Sequence, residues 1–361
     1  MGAGGFYTPG AMAYDAAVVG GGLVGAACAY RLASEGCRVA LFEARRFLRE
    51  ASWAAAGLLT PLHPAQYPAA LHPLLREGPA EHERLARELA ERFGAEVQLW
   101  TSGMVVVGED ARALETWYGP GSARAVEASR EEPLLRRPTP ATLFPGVRQV
   151  RNDLLGQALL DAARALGADL FEFAPVERLV PGGVVVGGRT HAARATVLCA
   201  GPWSGRLRAG VRLEPVRGQI LLYRAEGRRI VVFADGSYSV PRRGGLLLFG
   251  STLERAGFDG RPTREACEGL ERRAEELLGL RRRALLAAWA GLRPATPNLL
   301  PCLGRDPGRP DLILACGHYR NGVLLAPGTA RIVTDLVAGR RPPYDLAPFA
   351  PPPWSDDLSY A

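Results

Sequence analysis

Gly20-Gly21-Gly22-Leu23-Val24-Gly25 sits between two opposite sequence patterns. Before it, residues 15–19 are short and apolar, as a buried strand is. After it, residues 23–35 read as a helix that stops at Gly36. Residues 38–43 return to a strand pattern and complete a βαβ unit. The glycines at 20, 22 and 25 have GxGxxG spacing, and each has a separate task. Gly20 permits the tight turn out of the strand, Gly22 clears a path for a pyrophosphate, and Gly25 lets the helix pack close on the sheet. The helix N-terminus, with Leu23 and Val24, offers free N–H groups and partial positive charge to phosphates. Glu43 follows Gly25 by 18 residues, where a carboxylate accepts hydrogen bonds from ribose hydroxyls and repels a 2′-phosphate. A dinucleotide other than NADP is the expected ligand.

Beyond this unit, residues 81–93 and 154–166 read as amphipathic helices, and 97–100, 104–107, 169–173, 176–180 and 195–200 as strands. Residues 124–148 are rich in proline and arginine and are expected to wrap the surface. A β-rich run follows at 219–223, 230–233, 238–241 and 246–250. Helices at 263–278 and 322–337, a strand at 312–315 and an irregular Pro-rich tail complete the reading. Alternation of βαβ segments with a β-rich middle predicts an α/β protein, with an antiparallel sheet domain inserted into a discontinuous, Rossmann-like cofactor domain. The cofactor domain is assigned to 12–60, 150–210 and 290–345, and the substrate domain to 61–149 and 211–289. Residues 1–11 and 346–361 are assigned to irregular termini.

The net charge is +7, and every basic residue is an arginine. The pairs Arg45-Arg46, Arg136-Arg137, Arg228-Arg229 and Arg242-Arg243 are scattered rather than aligned with aromatics, so solvated surface is expected and nucleic acid is not. No run reaches the roughly 18 apolar residues of a membrane span, and the start lacks a signal-peptide pattern, so a cytoplasmic chain is expected. The six cysteines form no CxxC pair and are expected to be buried thiols without metal or disulfide. The five histidines show no metal-ligand spacing, and no GxSxG elbow occurs.

Two further segments narrow the ligand. One is the small-residue stretch Ala54-Ala55-Ala56-Gly57-Leu58-Leu59. The other is Ala290-Gly291-Leu292-Arg293-Pro294, followed by Gly317-His318-Tyr319-Arg320-Asn321-Gly322-Val323-Leu324-Leu325-Ala326-Pro327. Together with the loop they resemble the D-amino-acid oxidase family of FAD-dependent amine oxidases, above all its glycine-oxidizing branch in the thiazole arm of thiamine biosynthesis. The resemblance spans about residues 13 to 340. It implies non-covalent FAD, because the cysteine that tethers flavin in sarcosine oxidases has no counterpart here. It places Leu23 and Val24 on the pyrophosphate, Glu43 and Ala44 on the ribose, and Ala56, Gly57 and Leu58 against the flavin. It also places Val176 at the adenine, and His318, Tyr319, Arg320, Asn321, Gly322, Val323 and Leu324 around the flavin's edges. Ala51 and Ser52 stand where a Thr-Thr pair is common.

For the substrate, the resemblance implies that Arg293 clamps a carboxylate, that Tyr238 adds its hydroxyl, and that Arg320 is a second arginine on the substrate side. A guanidinium suits the clamp because its planar fork bonds a carboxylate bidentately and stays charged when desolvated. The implied reaction is oxidation of a small amino acid at its Cα–N bond by hydride transfer to flavin, with O2 reduced to H2O2. No protein acid or base is required. The imine would feed thiazole assembly, with enzymes of thiazole synthesis as partners and a homotetramer as the assembly. Sarcosine, D-amino-acid or proline oxidation, or a dehydrogenase of the same family, is the alternative. Gly236 and Leu58 depart from the histidine and methionine of a close homologue, which would widen the range of amines.

Overall fold

A computed structural model describes residues 13–350, apart from 109, 136–138 and 228–229. The expected terminus at 1–11, residues 351–361 of the terminus expected at 346–361, and the pairs Arg136-Arg137 and Arg228-Arg229 lie outside the described residues, while Ala347–Phe349 form a short helical turn. Two large sheets organise the chain. The first has the order Cys302–Asp306, Arg309–Cys316, Arg189–Leu198, Tyr14–Val19, Val39–Phe42, Asp169–Phe171. Four of the five pairings in this order are parallel, and the Cys302–Asp306 strand is antiparallel to its neighbour. Both faces are covered, which is why the Tyr14–Val19 and Val39–Phe42 strands are continuous apolar runs rather than alternating ones. The helices Leu23–Ser34, Gly322–Val337, Asn152–Ala165 and His72–Phe93 share one core on one face.

The second sheet runs Glu254–Arg255, Glu214–Arg224, Leu246–Gly250, Ser237–Arg242, Val231–Ala234, Met104–Val107, Pro140–Phe144, Arg124–Glu127, and Leu285–Ala295 also pairs with Glu214–Arg224. It is not wholly antiparallel, because Val231–Ala234 and Met104–Val107 pair in parallel. Helix Arg264–Leu278 packs on it through Leu270, Ala274 and Leu278.

Several expectations need correction. Residues 124–148 do not wrap the surface, since Arg124–Glu127 and Pro140–Phe144 are strands that extend the second sheet. Proline and arginine misled there because Arg124–Glu127 is an exposed edge strand and Pro140 takes the first position of its strand, where proline is tolerated. The expected 81–93 helix starts at His72, with prolines near its N-terminus and at Pro79 inside it. Strand 97–100 shrinks to Trp100–Thr101. The strand expected at 195–200 instead runs over Arg189–Leu198, whose first residues are mostly exposed and so lack an apolar signature. Helix Asp110–Tyr118 and the strand Leu285–Ala295 were not foreseen. That strand pairs along its whole length with Glu214–Arg224, so a domain boundary at 290 would cut one strand in two. Helix His72–Phe93 packs on the core of the first sheet although 61–149 was expected to belong to the second domain. Among the described residues no helix is long and apolar enough to cross a membrane.

Candidate active site

A cleft of about 700 Å³ runs from the 20–25 loop to the second sheet. At its first end, Gly20 has φ +105°, and a Cβ there would lie 2.5 Å from the Cys199 carbonyl oxygen. Gly25 is not on the cleft wall; its absent Cβ would sit 1.9 Å from the Gly20 carbonyl oxygen, so its task is close packing. At Gly22 the nearest atom to such a Cβ is Ser52 Oγ at 3.2 Å, which leaves the cleft side open. The carboxylate of Glu43 accepts from Gly21 N–H at 2.8 Å and from Arg45 N–H at 2.9 Å, tying the loop to the end of the second strand. Ser52 Oγ accepts from Leu23 N–H at 2.8 Å. The N–H groups of Val24 and Gly25, in the first helical turn, have no intrahelical acceptor. Ala44, Ala51 and Val176 line the same end.

Farther along, Ala56, Gly57 and Leu58 form one wall. Gly57 has φ +69°, and a Cβ there would meet the Val150 carbonyl oxygen at 2.0 Å. Opposite lie His318, Tyr319, Arg320, Asn321, Gly322 and Val323. Tyr319 takes φ +48°, an uncommon conformation for a bulky residue and typical of functional turns. Asn321 is buried and its Nδ2 has no partner. Leu324 leaves the wall and is buried against Gly78 of helix His72–Phe93. The glycine-cleared loop, the first-turn N–H groups and the unpaired Asn321 amide fit a dinucleotide carrying a polar ring system. These residues would hold FAD.

At the far end, Arg293 donates from Nη1 to the Thr252 carbonyl at 3.1 Å and from Nη2 to Ser251 Oγ at 2.8 Å. Gly218 makes room for it, since a Cβ there would fall 2.0 Å from Nη1. No ion pair among the described residues includes Arg293 or Arg320. Arg293 is therefore a fixed cation facing the cleft with donors to spare. Tyr238 lines the same cleft, and Arg320 is exposed with its guanidinium 5.3 Å from the Tyr319 ring. Tyr67 was missed in the sequence. It is buried at the cleft among Asn321, Arg320 and Arg293, and burial pushes its phenol pKa up. Nothing near Tyr67 in the chain forms a motif, so only the fold could reveal it.

The pair Arg242-Arg243 is not uniformly solvated. Arg243 is exposed and pairs with Glu96, but Arg242 is buried behind the Ala56–Gly57 wall. Arg242 is the last residue of the buried strand Ser237–Arg242, and Arg243 begins the exposed turn that follows.

Two buried histidines brace this region. His82 donates from Nε2 to the Val323 carbonyl at 2.8 Å, and His318 shares a 3.0 Å bond with the Thr329 hydroxyl. Burial lowers both pKa values to about 4 from an ordinary 6.5. Each stays neutral in the fold but charges in the unfolded chain below its ordinary pKa. Their contribution is complete above about pH 6.5 and fades as pH falls towards 4, by about 3 kcal/mol each. We expect the midpoint of thermal unfolding to drop across this window, and His82→Gln to flatten the drop; a scanning-calorimetry series from pH 7 to 4 checks it. Equal slopes in the two proteins would refute the assignment.

Comparison with known proteins agrees with this geometry. Residues 15–336 match the family model of DAO, the FAD dependent oxidoreductases, and the chain belongs to that family. Its relatives include a glycine oxidase of Pseudomonas putida, 37% identical, with 94% of this chain and 99% of that protein aligned. The bifunctional protein ThiO/ThiG of Nostoc sp. is 31% identical over 91% of this chain and 53% of its own length. The crystal structure of glycine oxidase from Geobacillus kaustophilus superposes with a TM-score of 0.86 at 37% identity, covering 94% of this chain and 98% of that one.

Proposed function

We propose that this chain oxidises glycine to its imine, with non-covalent FAD as cofactor and O2 as final acceptor, giving H2O2. The unpaired, buttressed guanidinium of Arg293 carries the reading, because it is shaped for a carboxylate and no protein carboxylate occupies it. In this reading Arg293 and Tyr238 hold the substrate carboxylate, with Arg320 at the rim. The amine is presented neutral, its lone pair assisting departure of hydride from Cα. FAD, when bound, would supply the two-electron acceptor and the route of the electrons to O2. The chain's contribution is orientation and a preset electrostatic field, with no side chain needed as acid or base. Water then converts the imine to glyoxylate and ammonia, so glycine, O2 and water give glyoxylate, ammonia and H2O2.

The roles proposed for the cofactor are Gly20, Gly22, Leu23, Val24, Glu43, Ala44, Ala51, Ser52 and Val176 at the adenosine diphosphate. Ala56, Gly57, Leu58 and the 318–323 wall serve the ring system, with Gly25 and Leu324 as packing supports. The cofactor unit is proposed as 12–60, 150–210 and the segment after Ala295. A fused ThiO/ThiG relative supports imine delivery to thiazole-forming enzymes. A cytoplasmic homotetramer is proposed with it.

The expected result is bleaching of the bound flavin by glycine without air, and one H2O2 per glyoxylate in air. Rapid bleaching by D-alanine or proline and none by glycine would replace the assignment. One observation favours that second, sarcosine- or D-amino-acid-type reading: a Cβ at Gly236, on the cleft wall, would meet open space. Reduction by substrate without reaction with O2 would make the chain a dehydrogenase.

A further inference from the structure

Arg242 ends the strand Ser237–Arg242 and is 7% exposed. Its Nη2 donates to the Ala56 carbonyl at 2.7 Å and to Asn152 Oδ1 at 3.3 Å. Its Nη1 donates to the Val150 carbonyl at 3.1 Å and to Gln149 Oε1 at 3.2 Å. All four acceptors are neutral, and no ion pair among the described residues includes Arg242. Burial pulls its pKa down to about 9, with Arg151 adding repulsion and Asp153 and Tyr238 partly opposing it. It therefore remains a cation at neutral pH.

A buried charge without a counter-charge costs several kcal/mol, only partly recovered by neutral dipoles. Placement gives that cost a use. The bond to Ala56 O puts the guanidinium one peptide behind the wall Ala56, Gly57, Leu58, and a Gly57 Cβ would lie 3.1 Å from Nη2. Tyr238 of the same strand also reaches the cleft. Out of water the positive field is weakly screened, so it acts across one peptide on whatever lies against that wall. The Ala56 carbonyl, by accepting from a cation, also polarises its own peptide.

We propose that Arg242 is an electrostatic positioning residue: it holds the Ala56–Gly57 wall and favours the negative charge that FAD gains on reduction. This rests on the reading that the flavin ring lies against Ala56, Gly57 and Leu58. Arg293 sits at the substrate end and is a separate cation.

The test compares holoenzymes of the wild type, Arg242→Met, Arg242→Gln and Arg242→Lys by the midpoint potential of bound FAD, titrated against reference dyes. Loss of the charge is expected to shift the two-electron equilibrium at least tenfold towards oxidised flavin, about 30 mV. Lysine keeps the charge without the fork and is expected to hold the potential within threefold of wild type. The affinity of the oxidised enzyme for a carboxylate inhibitor stays within twofold, because Arg293 is untouched. If Met loses the cofactor, the Gln and Lys pair decides. Unmoved potentials in the uncharged variants, with or without a fall in thermal stability, overturn the proposal. So does an equal shift in the lysine variant. A wild-type chain that takes up no FAD would overturn the site reading together with it, whereas unmoved potentials in flavin-loaded variants overturn this inference alone.

Discussion

Replacing Arg293 by leucine is expected to lower kcat/KM for glycine by about 100- to 10,000-fold while leaving FAD bound. Two charge-assisted hydrogen bonds to a carboxylate are worth about 1.5–3 kcal/mol each, and each 1.36 kcal/mol is tenfold. The arginine's present bonds, to Ser251 Oγ and the Thr252 carbonyl, fix its direction and leave part of its fork for the ligand. These acceptors are themselves held. Thr252 Oγ1 bonds Glu254 and accepts from Gln219 N–H, and Arg217 donates to Glu254 at 2.6 Å. Removing the guanidinium therefore deletes a contact from an otherwise fixed surface. The loss should fall mainly on KM, and the Kd of a carboxylate inhibitor should weaken by a similar factor. Arg293→Lys should recover part of the loss, because a point charge reaches one carboxylate oxygen but does not reproduce the fork. Steady-state peroxide assays with a parallel inhibitor titration measure all three. A leucine variant with native inhibitor affinity would remove Arg293 from the substrate site and send the search to Arg320.

The contrast between Arg293 and Arg242 marks how far the sequence was legible. Arg293 sits in a local string, Ala290 to Pro294, whose neighbours identify it without the fold. Arg242 sits beside Arg243 at the end of a strand, and in a chain with arginine as its only basic residue nothing local separates the buried one from the exposed one. The first βαβ unit was readable because its parallel strands are buried on both faces and its glycines are fixed by backbone contacts. Strands 124–127 and 140–144 were not, because the first is an exposed edge strand with the charges of a loop and the second opens on Pro140, a residue that loops also carry. The Ser251-Thr252 buttress meets Arg293 only through pairing of strands far apart in the chain, and Tyr67, on the turn after residues 64–66, reaches the site only through tertiary packing. Gly25 packs against the Gly20 carbonyl, as its place in the loop predicts, whereas Leu324, which the resemblance puts at the flavin's edge, is buried one layer behind against Gly78. A motif fixes which residues are constrained, but not whether the constraint comes from ligand or from protein.

That distinction makes Gly25 the most informative glycine to change. In Gly25→Ala the new Cβ would lie 1.9 Å from the Gly20 carbonyl oxygen. The obstacle is backbone, so no side-chain rotation relieves it, and either the helix Leu23–Ser34 or the 20–25 loop must move. Overpacking of this kind costs about 1–3 kcal/mol or more. The displaced loop also carries Gly21, whose N–H is tied to Glu43, and the first-turn N–H groups proposed for the phosphates. Losing alignment of two such bonds to a charged ligand is expected to weaken FAD binding by about 100- to 10,000-fold. Gly36→Ala is the matched control. It has φ +81° with nothing within 4 Å of the added Cβ, so it strains the backbone at the other end of the same helix without touching the loop. It should cost about 1 kcal/mol of stability and leave the FAD Kd unchanged. Fluorescence titration of the apoprotein with FAD, alongside thermal unfolding of both variants, separates the two effects. Native FAD affinity in Gly25→Ala would mean that the helix yields and the loop does not. The phosphate site would then be set by the tie between Glu43 and Gly21 rather than by the contact of helix and strand.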